Sequence, residues 1–443
     1  MESGYQRNFK LLRGFFMAKT RIRWTLATFM FIGGIINYMD RASLSVMAPF
    51  IEKDLQLTQT QMGMVFSSFF LGYALFCFIG GMCADRFGPR KTMAGAIGLW
   101  SIFCGLTAAV TGFFSMVVVR VLFGMGEGPM QTTINKTIKS WFPRKEAATA
   151  TGFVNSGQPL GGALCGPIVG SFALFLGWRA AFIIIMLFGF LWLYGWYRIA
   201  RDTPAEHPKV NQAELEYIQA GLEEKPSDQA STTDAPKLSY YLTRSTVWAT
   251  AAGYFAYSYV LSFFLTWFPT YLVREHGLDI KTMGFVNAIP WLFGAVGLLT
   301  GGLICDWLFR RSGKALASSK TVVVGGMLLS AAGIIYASNI STVYPAVALM
   351  TLTVYCLYNA GTCIWSTVLD TIPQKSIGSV GGFIHFIANL AGVICPTVTG
   401  YILDRSGSFP LTFVIAGVIA IIGAAAILFF VRPIKAKEAV KSA

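Results

Sequence analysis

Residues 412–431 read TFVIAGVIAIIGAAAILFFV, a run of twenty residues that contains no charge. A helix of this length is roughly 30 Å long, because each residue adds about 1.5 Å, and this matches the hydrocarbon core of a bilayer. Residues 343–365 form a second uncharged run of the same kind. These stretches predict helices that cross a membrane, not helices buried inside a soluble domain.

The composition of the whole chain supports this interpretation. Of its 443 residues, 54% are hydrophobic and only 13% are charged, whereas soluble domains carry about 25% charged residues. A window of membrane-spanning length finds twelve candidates, numbered here as spans 1 to 12. They lie at 24–46, 62–84, 92–110, 114–136, 147–172, 178–198, 246–272, 282–307, 319–338, 343–366, 377–402 and 410–431. We therefore predict an all-α membrane protein of twelve transmembrane helices in two six-helix bundles.

Positive charge is concentrated on one side of these predicted spans. If the spans alternate, 27 of the 35 Lys and Arg residues fall in the two tails and the loops of the same side. This asymmetry predicts that both termini are cytoplasmic. It also accounts for the net charge of +14 without a nucleic-acid partner. We expect a multi-pass membrane protein that acts as a monomer.

A polar stretch divides the chain into two halves. Residues 201–244 contain four prolines and a segment rich in Ser, Thr and Asp, which is typical of a linker, and we expect one short helix near 212–221. The predicted domains are an N-terminal tail 1–23, a bundle 24–200, the linker 201–244, a bundle 245–431 and a C-terminal tail 432–443. The basic N-terminus precedes an apolar run, as in a signal peptide. No small-residue cleavage site closes a short apolar core there, so we expect span 1 to be retained.

Catalytic and metal-binding patterns are absent from the sequence. The eight cysteines contain no Cys-x-x-Cys pair, and the three histidines are scattered, so we expect neither disulfides nor a metal site. Phosphate-binding loops and Gly-x-Ser-x-Gly motifs are also missing. We predict that the protein is not an enzyme and has no cofactor.

Four ionisable residues inside the spans indicate function, because a charge at the bilayer centre costs about 2.5 kcal/mol or more. Asp40 and Arg41 lie in span 1, and Arg120 and Glu127 lie in span 4. Arg120 and Glu127 are two helical turns apart and so point to the same side. An alternative for Asp40 and Arg41 is a pair that reaches the membrane interface. We expect Arg120 and Glu127 to face a central cavity.

The run from Gly81 to Lys91, GMCADRFGPRK, follows span 2, and a related run, GGLICDWLFRR, follows span 8. The first is similar to the signature loop of the major facilitator superfamily, which implies duplicated halves with a site between them. It indicates a charged latch in which an aspartate pairs with basic residues of the loop or of the facing bundle. Its predicted members are Asp85, Arg86, Gly88, Arg90 and Asp306. The arginines alone could instead be topogenic.

Further stretches resemble one branch of that superfamily, the anion:cation symporters, particularly bacterial carriers of galactonate and hexuronates. They are Asn37–Ser45, Arg120-x6-Glu127-x-Pro129, Ser140–Pro143, Asn155–Gln158 and Leu265–Leu272. The resemblance implies that Arg41 binds the substrate carboxylate and that Asp40 and Glu127 carry protons. Arg120 would pair with these acids and couple the two events. A guanidinium stays charged and fits a carboxylate, whereas a buried carboxyl can load and release protons.

The same resemblance implies a pocket for hydroxyl groups. Its members here are Tyr38, Tyr73, Gln158, Trp365, Ser366, His385 and Asn389. Taken singly, such residues are more often packing residues. His385 stands where the family usually has Asn or Gln, and it could be a hydrogen-bonding ligand, a titrating group or an interhelical contact. Lys136 either reaches the cytoplasmic interface or anchors a second carboxylate.

The resemblance thus implies a proton-coupled symporter of the bacterial inner membrane that imports a small organic anion, most simply a sugar acid, by alternating access. A proton-coupled exporter is an alternative, because the span 5 pattern Gly162-x3-Gly166-Pro167-x2-Gly170 resembles a motif of drug–proton antiporters. An uncoupled facilitator of another anion is a second alternative. A membrane sensor is a remote one, because the linker and tails are too short to hold an output domain.

Overall fold

The computed structural model describes residues 20–223, 238–373 and 376–434. Every predicted span corresponds to helix, in two groups of six. The first bundle contains Ile22–Leu55, Gln59–Phe87, Pro89–Leu106, Phe113–Glu127 with Met130–Trp141, Arg144–Leu176 and Trp178–Ile199. The second contains Ser245–Thr266 with Phe268–Arg274, Ile280–Ser312, Ala315–Ala337, Val343–Thr371, Ile377–Ser406 and Pro410–Phe430.

Ten of these segments in the described part are long and apolar enough to cross a membrane. The other two, spans 1 and 7, have 34 residues and 22 residues in their main helices, which is sufficient length, but they carry more polar side chains. Span 1 contains Asp40 and Arg41, and span 7 contains several Ser, Thr and Tyr residues. The predicted fold class, twelve helices in two bundles, is confirmed.

Two spans are broken near prolines. Span 4 is interrupted at Gly128 and Pro129, and span 7 at Trp267, two residues before Pro269. Proline has no amide hydrogen, so the hydrogen-bond ladder of a helix is interrupted where it stands. The break in span 4 lies directly after Glu127, at the level of the predicted site.

Glycines allow the helices of the first bundle to touch through their backbones. A Cβ added at Gly157 or Gly161 of span 5 would lie 2.3 or 2.2 Å from a carbonyl oxygen of span 1. A Cβ at Gly72 of span 2 or Gly124 of span 4 would lie 2.1 Å from a carbonyl of the other helix. Contacts this short do not occur between real side chains, so these positions require glycine, and spans 1 and 4 are both held close to the bundle centre.

The bundles meet along two helix pairs, span 2 with span 11 and span 5 with span 8. Here the distal end is the end at which span 1 finishes and span 2 begins, and the linker end is the opposite one. Towards the distal end, Ser67 contacts Thr397 with 2.7 Å between their hydroxyl oxygens. Asp404 accepts hydrogen bonds from the first backbone amides of span 2, at Gln59 (3.0 Å) and Thr60 (2.7 Å). The distal end is therefore closed.

The linker contributes to the first bundle. Its helix Gln212–Glu223 is close to the predicted range 212–221. Glu214 is fully buried and accepts hydrogen bonds from the amides of Ile22 (3.1 Å) and Arg23 (3.3 Å). It also pairs with the Arg23 guanidinium at 2.9 Å. Arg21, the residue before span 1, provides no side-chain cap, so Glu214 caps this helix from a distant part of the chain.

Candidate functional site

The centre of the site is an ion pair between Arg41 and Glu127. The Arg41 Nε donates to the Glu127 Oε2 at 2.6 Å, and the Glu127 side chain is fully buried. The guanidinium carbon of Arg41 lies 4.5 Å from the ring centroid of Tyr73, 4.9 Å from Phe69 and 5.3 Å from Tyr38. Aromatic faces at such distances attract a cation. Arg41 therefore sits in an aromatic box with one charged partner.

Close packing of spans 2 and 4 builds this box. A Cβ at Gly124 would lie 2.1 Å from the Phe69 carbonyl oxygen, and one at Gly128 would lie 2.6 Å from the backbone of Phe76. The missing side chains let Phe69 and Tyr73 approach the level of Glu127. Because Pro129 ends the first segment of span 4 directly after Glu127, the carboxylate lies at a point where the helix can bend.

Asp40 and Arg120 lie deeper in the first bundle and are almost completely buried. The Asp40 Oδ1 and the Arg120 Nε and Nη1 have no hydrogen-bond partner among the described residues. Arg120 instead lies over Phe123, with 4.6 Å between its guanidinium carbon and the ring centroid. Asp40, Arg120 and Glu127 remain within electrostatic range of one another. The expected direct pairing of Arg120 with the acids is thus replaced by the Arg41–Glu127 pair.

The second bundle closes the site from the other side with aromatic residues. Trp291 of span 8 packs edge-on against Tyr38, with ring centroids 6.3 Å apart. His385 of span 11 contacts the ring of Tyr254 at 5.7 Å and lies within electrostatic range of Arg41. The two bundles therefore both contribute side chains around Arg41.

The remaining predicted pocket residues differ in their surroundings. Gln158 donates to the side chain of Gln131 at 3.3 Å, at the junction of spans 4 and 5. Asn389 donates to the His385 carbonyl at 2.8 Å, so one of its amide hydrogens is already used within span 11. Trp365 is 43% exposed and packs against Gly381. Among the described residues, neither Trp365 nor its neighbour Ser366 forms a hydrogen bond or a ring contact with Arg41.

Sequence reasoning missed Trp291 and Gln131. Gln131 also approaches Asn155, with 3.4 Å between the amide nitrogen and oxygen. A glutamine two residues after a proline inside a span is a detectable signal, since uncompensated polar groups are costly in lipid. Trp291 follows Pro290, but nothing in its local sequence separates it from other tryptophans of the spans.

The predicted latch forms a different contact from the expected one. Asp85 pairs with Lys136 of span 4 at 2.8 Å, and the same Lys136 nitrogen donates to the Ala84 carbonyl at 2.6 Å. The partner therefore belongs to the same bundle, and Lys136 points towards the linker end instead of the Arg41 site. Arg90 donates to the Tyr197 carbonyl at 2.7 Å, Arg86 lies over the ring of Phe87, and Asp306 is exposed.

Gly88 is required by its backbone conformation. Its φ is +82°, and a Cβ there would lie 2.6 Å from a carboxylate oxygen of Asp202. Asp202 accepts a hydrogen bond from the Arg90 amide at 2.8 Å. The sharp turn between spans 2 and 3 is thus fixed to the start of the linker.

Comparisons with known proteins agree with this architecture. Residues 30–396 match the model of the Major Facilitator Superfamily. The chain is 43% identical to a hexuronate transporter of Bacillus subtilis, over 93% of this chain and 95% of that protein. It is 33% identical to a probable L-galactonate transporter of Escherichia coli, over 93% and 90%. It is also 33% identical to a probable galactarate/D-glucarate transporter of Bacillus subtilis, over 94% and 93%.

Solved structures share the fold at low sequence identity. The crystal structure of a D-xylose-proton symporter superimposes with a TM-score of 0.73 at 15% identity, covering 92% of this chain and 98% of that one. An inward-facing, occupied bacterial homologue of the human lysosomal transporter Spinster gives 0.73 at 18% identity, over 94% and 98%. The chain therefore belongs to the Major Facilitator Superfamily and is a membrane transporter, not an enzyme.

Proposed function

We propose that this protein is a proton-coupled symporter that imports a sugar acid, an aldonate or a hexuronate, across the bacterial inner membrane. Spans 1–6 (residues 24–200) and spans 7–12 (245–431) are the two units that rock about the site. Both termini face the cytoplasm, so the closed distal end faces the outside. The protein acts as a monomer on an anion and protons.

The observation that carries this proposal is the buried ion pair between Arg41 and Glu127, 2.6 Å apart. The Arg41 guanidinium has several N–H groups in one plane and can bind both oxygens of a carboxylate. One of these groups, the Nε–H, already donates to Glu127. A substrate carboxylate and the Glu127 carboxylate therefore compete for one guanidinium. Protonation of Glu127 removes its negative charge and frees Arg41 for the substrate, so proton and anion are bound together.

Asp40 supplies a second proton site, since its buried Oδ1 has unused hydrogen-bonding capacity. The Arg120 guanidinium lies over the Phe123 ring. Its positive charge acts on the Asp40 carboxyl and favours the ionised form of that group. The tyrosines around Arg41 and the half-buried His385 are placed to bind hydroxyl groups, while the edge of Trp291 limits the pocket. The transporters of hexuronate and galactonate named above support a sugar acid as the substrate class.

The exporter alternative rests on the glycine pattern of span 5, which lies partly at the contact between the two bundles. In span 5, a Cβ at Gly162 would meet the Trp291 ring at 2.8 Å, and one at Gly166 would meet the Gly284 carbonyl oxygen at 2.2 Å. Both glycines are thus accounted for by packing between the bundles.

The test is uptake into liposomes of radiolabelled glucuronate, galacturonate, galactonate and gluconate, with and without an inward proton gradient. We expect gradient-driven uptake in the wild type and in Arg179→Ala, a control at the exposed distal surface. Arg41→Ala should abolish uptake. Glu127→Gln should retain exchange of internal for external substrate but lose accumulation. Full activity of Arg41→Ala, or uptake indifferent to the gradient, would reject the proposal.

A further inference from the structure

A cavity of about 320 Å³ lies at the distal end, away from the Arg41 site. It opens where the loop between spans 1 and 2 meets the end of span 7, so both bundles line it. Its walls are formed by Pro49, Glu52, Lys53, Leu57, Gln59, Val273 and Arg274. Among these, Glu52 is the only carboxyl group.

Glu52 joins the two bundles through one of its oxygens. The residue is 9% exposed, and its Oε2 accepts hydrogen bonds from the Gln59 Nε2 at 3.0 Å and the Arg274 Nη2 at 3.1 Å. Glu52 and Gln59 belong to the first bundle, whereas Arg274 belongs to the second. The contact can therefore exist only while the distal end is closed.

The other oxygens of this contact have no donor. Glu52 Oε1 and Gln59 Oε1 are both buried without a hydrogen-bond partner among the described residues. An ionised carboxylate only accepts hydrogen bonds, whereas a protonated one also donates. A neutral carboxyl complements a primary amide, because each group then offers one donor and one acceptor. Buried acceptors without donors are costly, so the site lacks one hydrogen.

We infer that Glu52 is a third proton-binding site, separate from Asp40 and Glu127, and that it holds a proton while the distal end is closed. The cavity beside it is the route by which the proton reaches Glu52. Opening the distal end separates Glu52 from Arg274 and exposes it to solvent, where the proton is lost more readily. Closure of this end is thus linked to proton uptake.

Charged groups of both bundles surround Glu52. Arg274 of span 7 favours the ionised form, while Asp404 of span 11 opposes it. On its own helix, Lys53 is exposed, and Asp54 is bonded to Arg179. Burial raises the pKa of Glu52, and Asp404 adds to this, so that together they outweigh Gln59 and Arg274.

Asp404 itself remains ionised. Burial tends to raise the pKa of Asp404. Hydrogen bonds from Thr60 and Gln59 outweigh this effect and lower the pKa of Asp404 below its ordinary value. The second inter-bundle carboxylate therefore caps span 2 as an anion and does not share the behaviour of Glu52.

The direction of the pH dependence follows from this shift. Because the pKa of Glu52 is raised in the closed form, the proton stabilises closure. The stabilisation is complete below the ordinary pKa of a glutamate, about 4.3, and is lost as the pH rises through the raised value. In the proposed orientation, acid outside the cell closes the distal end.

The test measures the distal end directly and needs no substrate. Spin labels are placed on Thr111→Cys and Asn339→Cys, exposed positions of the two bundles, after the native cysteines are replaced. The distance between this distal label pair is measured in lipid nanodiscs from pH 5 to 8. In the wild type, the ratio of closed to open molecules should rise as the pH falls, by up to about ten-fold per unit.

Glu52→Gln should remain closed over the whole range, because its amide supplies the missing hydrogen. Asp54→Asn, on the same helical turn, should keep the wild-type response. A Glu127→Gln background should keep it too, which separates Glu52 from the central site. A wild-type ratio that ignores pH, a Glu52→Gln protein that still responds or opens, or an Asp54→Asn protein that loses the response would each overturn the inference.

This result is independent of the transported anion. If the label distances respond to pH as expected but no sugar acid is taken up, the proposed substrate is wrong and Glu52 is still a proton-binding site. If sugar acids are taken up but the distances are indifferent to Glu52, the proton site is wrong and the proposed function stands.

Discussion

The contact between Gly166 of span 5 and Gly284 of span 8 should control how readily the distal end closes. A Cβ at Gly166 would lie 2.2 Å from the Gly284 carbonyl oxygen and 2.8 Å from its Cα. Both neighbours are backbone atoms of the other bundle, so no side chain can rotate away. In Gly166→Ala the bundles must therefore separate at this point.

The size of the effect can be worked out from this geometry. Real Cβ atoms essentially never lie closer than 3.0 Å to another heavy atom. The added Cβ would be about 0.8 Å closer than this to the Gly284 carbonyl oxygen, at 2.2 Å. Overpacking of this kind costs about 1–3 kcal/mol, and the cost applies only to the closed form. The ratio of closed to open molecules should therefore fall by about 5- to 150-fold. The interior of each bundle is unaffected, so the melting temperature should change little.

Gly170→Ala is the matched control. It makes the same change one turn further along span 5, where the added Cβ would meet only Val46 Cγ1, 3.6 Å away in the same bundle. The distal label pair, measured at one pH, should show a larger open fraction in Gly166→Ala and the wild-type fraction in Gly170→Ala. Equal fractions in Gly166→Ala and the wild type would refute the reasoning, as would equal opening in both variants.

Three further substitutions test other contacts. Lys136→Ala removes an ion pair with a mostly exposed Asp85; such pairs contribute about 0–1 kcal/mol, so the closed-to-open ratio should change less than about five-fold, and a hundred-fold change would indicate a larger role. Glu214→Ala leaves a buried guanidinium short of one partner, which costs about 3–5 kcal/mol. Its melting temperature should fall by several degrees, whereas that of the exposed Glu216→Ala should not; equal melting would contradict the buried cap. His385→Asn should alter the ranking of hexuronates against aldonates by about ten-fold in competition assays, equivalent to one hydrogen bond, and an unchanged ranking would remove His385 from the pocket.

The fold was accessible from the sequence because lipid imposes one simple requirement. Each crossing needs about 20 apolar residues in a helix, and all twelve windows coincide with helices. The windows measure apolar length, however, and not helix length. Span 1 was predicted to end at 46, but its helix continues to Leu55, because a helix can extend beyond the bilayer with polar residues such as Glu52. The break at Trp267 was likewise missed, although Pro269 was its signal.

The site was predicted less completely, and the reason is the same for several residues. Spacing along span 4 places Arg120 and Glu127 on one side, but it does not say which neighbouring helix is nearest. Arg41 of span 1 reaches Glu127, and Arg120 is left beside Phe123. Asp85 likewise finds Lys136 within its own bundle. The sequence shows which charged residues lie inside the spans, and their cost in lipid marks them as functional. Their partners depend on how the helices pack, which spacing along one helix does not encode.

The cap that Glu214 provides for span 1 has a consequence for how the chain is made. Glu214 follows Ile22 by 192 residues, and ribosomes add about 5–20 residues per second. The first turn of span 1 therefore waits roughly 10 to 40 s for its carboxylate, and all six helices of the first bundle are synthesised during that interval. A gene divided after codon 200 would produce a first bundle without this carboxylate. A division after codon 223 would retain it, and the two halves could then be expressed as separate polypeptides with span 1 complete.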